Sequence, residues 1–143
     1  MVVLLNSWMN NMNDSYETQL SAACLLLSVA EADEILDIQE LDTIQDVLKE
    51  FFSIVDNDAY KLLQEAKHKM KNATDLFVFG QHLNTVFDHP DRLDFISCVF
   101  EVAYADGDLH YLEHHTVKKI ANMLNVNRED ILASKGEMEN YLD

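Results

Sequence analysis

Residues 102–113 read VAYADGDLHYLE, and residues 29–40 read VAEADEILDIQE. One spacing, that from Asp33 to Asp106, also pairs Val29 with Val102, Ala30 with Ala103, Ala32 with Ala105, Leu36 with Leu109 and Glu40 with Glu113. Beyond the motif it pairs Ile44 with Val117, Val47 with Ile120 and Phe51 with Leu124. A helix, an acidic turn and a second helix are therefore written twice. Two copies at so long a spacing predict two pseudo-symmetric halves of one compact domain rather than a stacked-repeat solenoid.

The rest of the chain favours the same class. With 3 Gly and 1 Pro in 143 residues, hairpins and tight β-turns have little raw material. No stretch alternates apolar and polar residues at the period of a strand. Apolar residues recur at helical spacing instead. In the first core helix, Tyr16 to Ala32, the stripe is Leu20, Ala23, Cys24, Leu27 and Ala30, widened by Leu25, Leu26 and Val29. So wide a stripe predicts a helix buried on much of its circumference. Further helices are expected from the first acidic turn to about Val55, from Ala59 to Lys71 after the break Asp56-Asn57-Asp58, and from Asp75 to Phe87. The next should run from Pro90 to Ala105, then Tyr111 to Leu124, then from Arg128 toward Tyr141 behind an Asn127 cap. Pro90 suits a first helical turn, where its missing N–H costs nothing. The expectation is an all-α domain of about seven helices over residues 15–143. Residues 1–14 form a tail or a short helix that docks through Trp8.

Composition narrows the function. The formal charge is −16, from 26 acidic against 10 basic side chains. That excludes nucleic acid, which demands clustered Lys and Arg. It leaves cations, basic protein partners or plain solubility. No apolar run reaches the roughly 20 residues of a membrane helix, and Val2 to Leu5 is too short for a signal peptide. Cys24 and Cys98 lie in apolar runs and read as reduced core thiols. The expectation is a cytoplasmic protein with no membrane insertion, its oligomeric state open.

The first acidic turn carries Glu31, Asp33, Glu34, Asp37 and Glu40, the second Glu101, Asp106, Asp108 and Glu113. Hard divalent cations take several oxygens at short range, and carboxylates clustered on a turn supply them. Gly107 relaxes the second turn, since it tolerates a positive φ. For Glu40 and Glu113, three residues into a helix, capping is the preferred role. Asp33 and Asp106 fit capping poorly. They follow the C-terminal end of a helix, where the macrodipole disfavours negative charge, so each needs a cation, a backbone N–H or a lysine beside it.

Three sharper readings fail or rank low. An EF-hand loop wants Gly sixth and Glu twelfth; counted from Asp106, Gly107 is second and Glu113 eighth. His110, Glu113 and His114 match H-x-x-E-H, a metalloprotease pattern. The earlier copy has Asp37 and Leu41 at the histidine positions, and no third ligand or substrate chamber is evident. Zn²⁺ on His110, His114 and His115 is a minor alternative to Ca²⁺ or Mg²⁺. No nucleophile–base pair and no glycine-rich phosphate loop appears, so an enzyme is not expected. The remaining histidines, His68, His82 and His89, read as structural. Lys61, Lys67, Lys69 and Lys71 line one helix face, which reads first as a solvated surface and second as a docking face for an acidic partner or a counter-pole to the acidic turns.

The stretch from Val102 to Leu109, then Glu113, Ile120-Ala121 and Leu124-Asn125-Val126, with Ala73 to Leu76 and Asp91 to Leu93, resembles the TerB-like family of tellurite-resistance proteins. The likeness spans about residues 17 to 135; in the first copy Glu34 stands where glycine is usual. The resemblance implies two helical halves and a non-catalytic module that binds metal or protein partners, in a bacterial stress or tellurite-resistance context. Carried over by position, its acidic residues are Asp33, Asp37 and Glu40, then Asp106, Asp108 and Glu113.

Overall fold

A computed structural model describes residues 2–32, 38–72, 75–105 and 111–130, with the backbone alone for 2–15 and 111–114. The described residues are helical, with no strand among them. The elements are α1 (Val2–Ala30), α2 (Ile38–Phe52), α3 (Asp56–Asn72), α4 (Phe77–Val86), α5 (His89–Ala103) and α6 (Tyr111–Met123), and residues 128–130 open a seventh helix. The all-α expectation holds.

The bundle is built around α1, which packs against each of the other five helices. That explains its composition. From Leu20 to Ala30 every residue is buried, as a helix surrounded on all sides requires. Ser21 and Ser28 are the polar members of this run. Ser28 Oγ donates to the Leu25 carbonyl of the preceding turn, which lets a hydroxyl go inside. The other helices are amphipathic: α2 buries Glu40, Ile44, Val47 and Leu48, and α3 buries Ala59, Leu62, Leu63 and Ala66. Phe51, Phe87 and Phe95 meet with ring centroids 5.5 to 5.9 Å apart, tying the end of α2 to the α4–α5 junction. Gly80 lets α4 cross α6 closely, for a Cβ there would meet Met123 Cβ at 3.0 Å.

Local chemistry sets the helix ends. Asp88 accepts from the Asp91 N–H at 2.9 Å and Asp91 from the Asp88 N–H at 3.4 Å, a capping box with Pro90 in the first turn of α5. Asn127 and Asp130 form the same reciprocal pair at the start of the seventh helix. Both α2 and α6 end on a residue with positive φ, Ser53 and Asn125, followed by a 6→1 bond: Ile54 N–H to the Lys49 carbonyl, and Val126 N–H to that of Ala121.

Three features differ from the sequence expectation. Helix α3 begins at Asp56, so Asp56-Asn57-Asp58 is a first turn and not a break. Asp56 accepts from Gln45 at 2.9 Å and pairs with Lys49 at 3.3 Å, and these contacts hold its carboxyl below the usual range. Helix α1 begins at Val2 rather than Tyr16; Tyr16 is near where its buried face starts. Cys98 is only half-buried on α5, unlike Cys24, whose burial pushes the thiol up to about 11. The two form no disulfide.

Candidate functional site

The two acidic turns are entered from helix ends with the same hydrogen bonds and span the same length of chain. Helix α1 ends at Ala30 and α5 at Ala103; α2 begins at Ile38 and α6 at Tyr111. The connections 31–37 and 104–110 are therefore equal in length. At the first, Glu31 N–H donates to the Leu27 carbonyl at 3.0 Å and Ala32 N–H to that of Val29 at 3.3 Å. At the second, Tyr104 N–H donates to Phe100 at 3.0 Å and Ala105 N–H to Val102 at 3.2 Å. These bonds obey the spacing that relates Asp33 to Asp106. Burial follows it too: Val29 and Val102, Ala30 and Ala103, Ile44 and Val117, Val47 and Ile120 are buried in both copies. The match is one of helix ends and burial within two helix pairs, not a superposition of halves.

Of the six candidate ligands, Asp33, Asp37, Asp106 and Asp108 lie outside the described residues, as does the side chain of Glu113, the third residue of α6. Glu40, the third residue of α2, is described, and it is 1% exposed. Taking a carboxylate out of water costs on the order of several kcal/mol unless donors or a cation surround it. Among the described residues no group of three or more His, Cys, Asp and Glu stands close enough to hold a metal ion. That finding concerns the remainder of the chain, since most of the candidate ligands fall outside it.

The surroundings of the two turns differ. Beside the first, Glu31 shares a cavity of about 220 Å³ with Lys67, Met70 and Lys71 of α3. Burial raises the Glu31 carboxyl pKa, and the Lys67 charge draws it back. Part of the lysine face thus lies against an acidic turn, and Lys69 sits 5.9 Å over the ring of Phe79. Beside the second turn, burial raises Glu101 and the charge of Glu50 raises it further. Glu50 and Glu101 line a groove of about 480 Å³ between α2 and α5 with Asp91 and Asp94, over Val47 and Phe51. Neither the Glu31–Lys67 proximity nor the Glu50–Glu101 proximity has a local signal, because each joins helices far apart in sequence.

Among the described histidines, His82 bonds Thr18 across α1 and α4 at 3.1 Å and His89 Nε2 lies 3.9 Å from Asp130, while His68 and His115 are exposed. His110 and the His114 side chain, needed for the zinc alternative, lie outside the described residues. No described helix is long and apolar enough to cross a membrane.

Comparison with known proteins adds one match. The family model described as Tellurite resistance protein TerB matches residues 19–135, most of the chain. Neither the curated proteins nor the solved structures yield a match.

Proposed function

The chain belongs to the TerB family of tellurite-resistance proteins, and from that premise we propose that it is a non-catalytic, cytoplasmic module that holds divalent cations at its acidic turns. Its helical fold and its tellurite-resistance relationship come with the family. The cation, Ca²⁺ or Mg²⁺ in preference to Zn²⁺, is this reading's addition. Asp33, Asp37 and Glu40 would ligate at the first turn, and Asp106, Asp108 and Glu113 at the second.

The observation that carries the reading is the burial of Glu40 at the exit of the first turn. An all-oxygen donor set suits a hard cation, and a cation beside a buried carboxylate offsets the desolvation that burial imposes. The second connection, equal in length and entered by the same hydrogen bonds, carries a second set of carboxylates in its sequence. Thermal unfolding of the full chain under Ca²⁺ and Mg²⁺ titration tests it. At a hundredfold excess over Kd, one site adds about 2.7 kcal/mol. The increment should shrink in Glu40→Gln and in Asp106→Asn. Melting that neither cation changes, or a cation-induced rise as large in both variants as in the unsubstituted chain, overturns the reading.

The α2–α5 groove favours a second reading, a scaffold whose acidic surface meets a basic protein partner. Glu50, Asp91, Asp94 and Glu101 crowd there, and burial raises both Asp91 and Glu101. Such binding should weaken with salt, as charge contacts at an interface rim do. Capture of the same partners by Glu50→Gln/Glu101→Gln would remove the groove from consideration.

A further inference from the structure

Helix α1 is continuous from Val2 to Ala30, yet its buried run opens only at Thr18, and Tyr16 and Glu17 are exposed. The neighbouring helices start or stop at that level. Ile54, just past α2, and Asp58, in the first turn of α3, border one cavity of about 560 Å³ with Tyr16 and Gln19. Helix α4 runs toward the same end: Phe79 lies under Lys69, whose charge is felt at Cys24, and His82, one turn before the helix ends at Val86, meets Thr18. Helix α1 therefore overhangs α2, α3 and α4. At about 1.5 Å per residue, Val2 lies about 20 Å beyond Tyr16 along the axis. A helix of this length is marginal in water by itself and needs a packed face. Its composition suits one. Positions 1–13 hold no charged side chain, so all 26 acidic and 10 basic residues come later. Leu5, Trp8 and Met12 recur at helical spacing, and Tyr16 continues the stripe. The bundle end from which the overhang emerges is apolar too: of the seven exposed large apolar side chains among the described residues, Tyr16, Val55, Tyr60 and Val86 lie here.

We propose that the overhang is covered by the same segment of a second copy of this chain, in an antiparallel pair about a twofold axis. Charge selects the place and shape selects the direction. Two chains of formal charge −16 repel least where neither carries a charge. Paired helices lie about 8–10 Å apart. Because α1 is packed against all five other helices, a parallel pair at that spacing would drive two bundles into one space. An antiparallel pair sets the bundles about 20 Å apart along the axis, beyond two Debye lengths of about 8 Å each. Trp8 and Met9 then fall at the twofold, Leu5 lies opposite Met12, and Val2 reaches the level of Tyr16 in the second copy. A contact of this kind is self-complementary and closes as a dimer. It lies at the far end of α1 from the first acidic turn, so it stands or falls apart from any cation there.

The experiment is sedimentation equilibrium of the full chain across the micromolar range, with the emission of Trp8, its single tryptophan, recorded over the same dilution. A dimer is expected, and Trp8 emission should move to the red as the dimer dissociates. Leu5→Lys should weaken the dimer at least about tenfold, because a charge enters an apolar seam. Adding Met12→Glu sets opposite charges face to face in the antiparallel register and should restore part of that loss. In a parallel register the same addition sets like charges face to face and deepens it. Both positions precede the buried run, so the fold should survive, with the helical circular dichroism of the unsubstituted chain. A monomer across the range, Trp8 emission indifferent to dilution because the chain covers its own segment, a dimer that Leu5→Lys leaves intact, or a further loss on adding Met12→Glu overturns the proposal.

Discussion

At the end of α1, Glu31 shares a cavity with Lys67 and Lys71 of α3, whereas in the last turn of α5 Glu101 feels the charge of Glu50 of α2. The helix ends at the two places match: the same connection length follows, and the same pair of carbonyls receives the first N–H groups past the helix. A repeat in sequence thus carries over what is local. A helix terminus is decided by its own last turn and so is copied with it. The charge around the terminus is decided by whichever other helix packs there, and α3 and α2 face the two turns with opposite signs. Equal turns in unequal fields should have unequal cation affinity, the first being partly neutralised from within.

The largest expected effect tests the backbone half of this comparison. Val29 and Val102 are the same residue at the same position before the two turns, and both are fully buried. Val29→Ala and Val102→Ala should each cost roughly 2–3 kcal/mol, from lost apolar burial plus the cavity left behind. Denaturant unfolding would read both. A difference above about 1 kcal/mol would break the equivalence of the two helix ends.

A smaller effect tests the charge half. In an Asp106→Asn background, which weakens the second turn, Lys67→Gln should raise the apparent Ca²⁺ affinity of the first turn by about threefold, the size of one partly screened charge interaction. The readout is the cation-induced rise in melting temperature. An unchanged or weakened response would mean that Lys67 does not compete with a cation there.

How much of this could be read from residues follows the same division between local and distant causes. The stop at Pro90 and its place in the first turn of α5, the core stripe from Leu20 to Ala30 and the helix ends that flank both turns are local, and the structure has them as expected. The start of α3 was not legible. Asp56-Asn57-Asp58 serves equally well as a break or as a first turn, and the choice is made by Gln45 and Lys49 reaching from α2. Cys98 reads as a core thiol because it lies in the apolar run ISCVF, yet it lines the α2–α5 groove. At the candidate site, Glu40 read as a surface cap. Only the packing of α2 against α1, α3 and α5 sends it inside.

The subtlest test uses pH. Burial and the Glu50 charge raise the Glu101 carboxyl above its ordinary value of about 4.5, so the folded protein holds that proton more tightly than the unfolded chain. Its stabilising contribution is fully present below pH 4.5, and it is lost as pH rises through the folded-state value. At neutral pH the ionised pair is a liability. Glu101→Gln should therefore gain less than about 1 kcal/mol at pH 7, since the group is partly exposed and screened, and should gain nothing near pH 4. Glu31 is raised in the same direction by burial, but Lys67 opposes the shift. Glu31→Gln loses that attraction along with the larger desolvation penalty, so its gain at pH 7 should be smaller than that of Glu101→Gln. Equal gains from the two substitutions, measured as unfolding free energy across pH 4–7, would show that the lysines of α3 leave the first turn as unrelieved as the second.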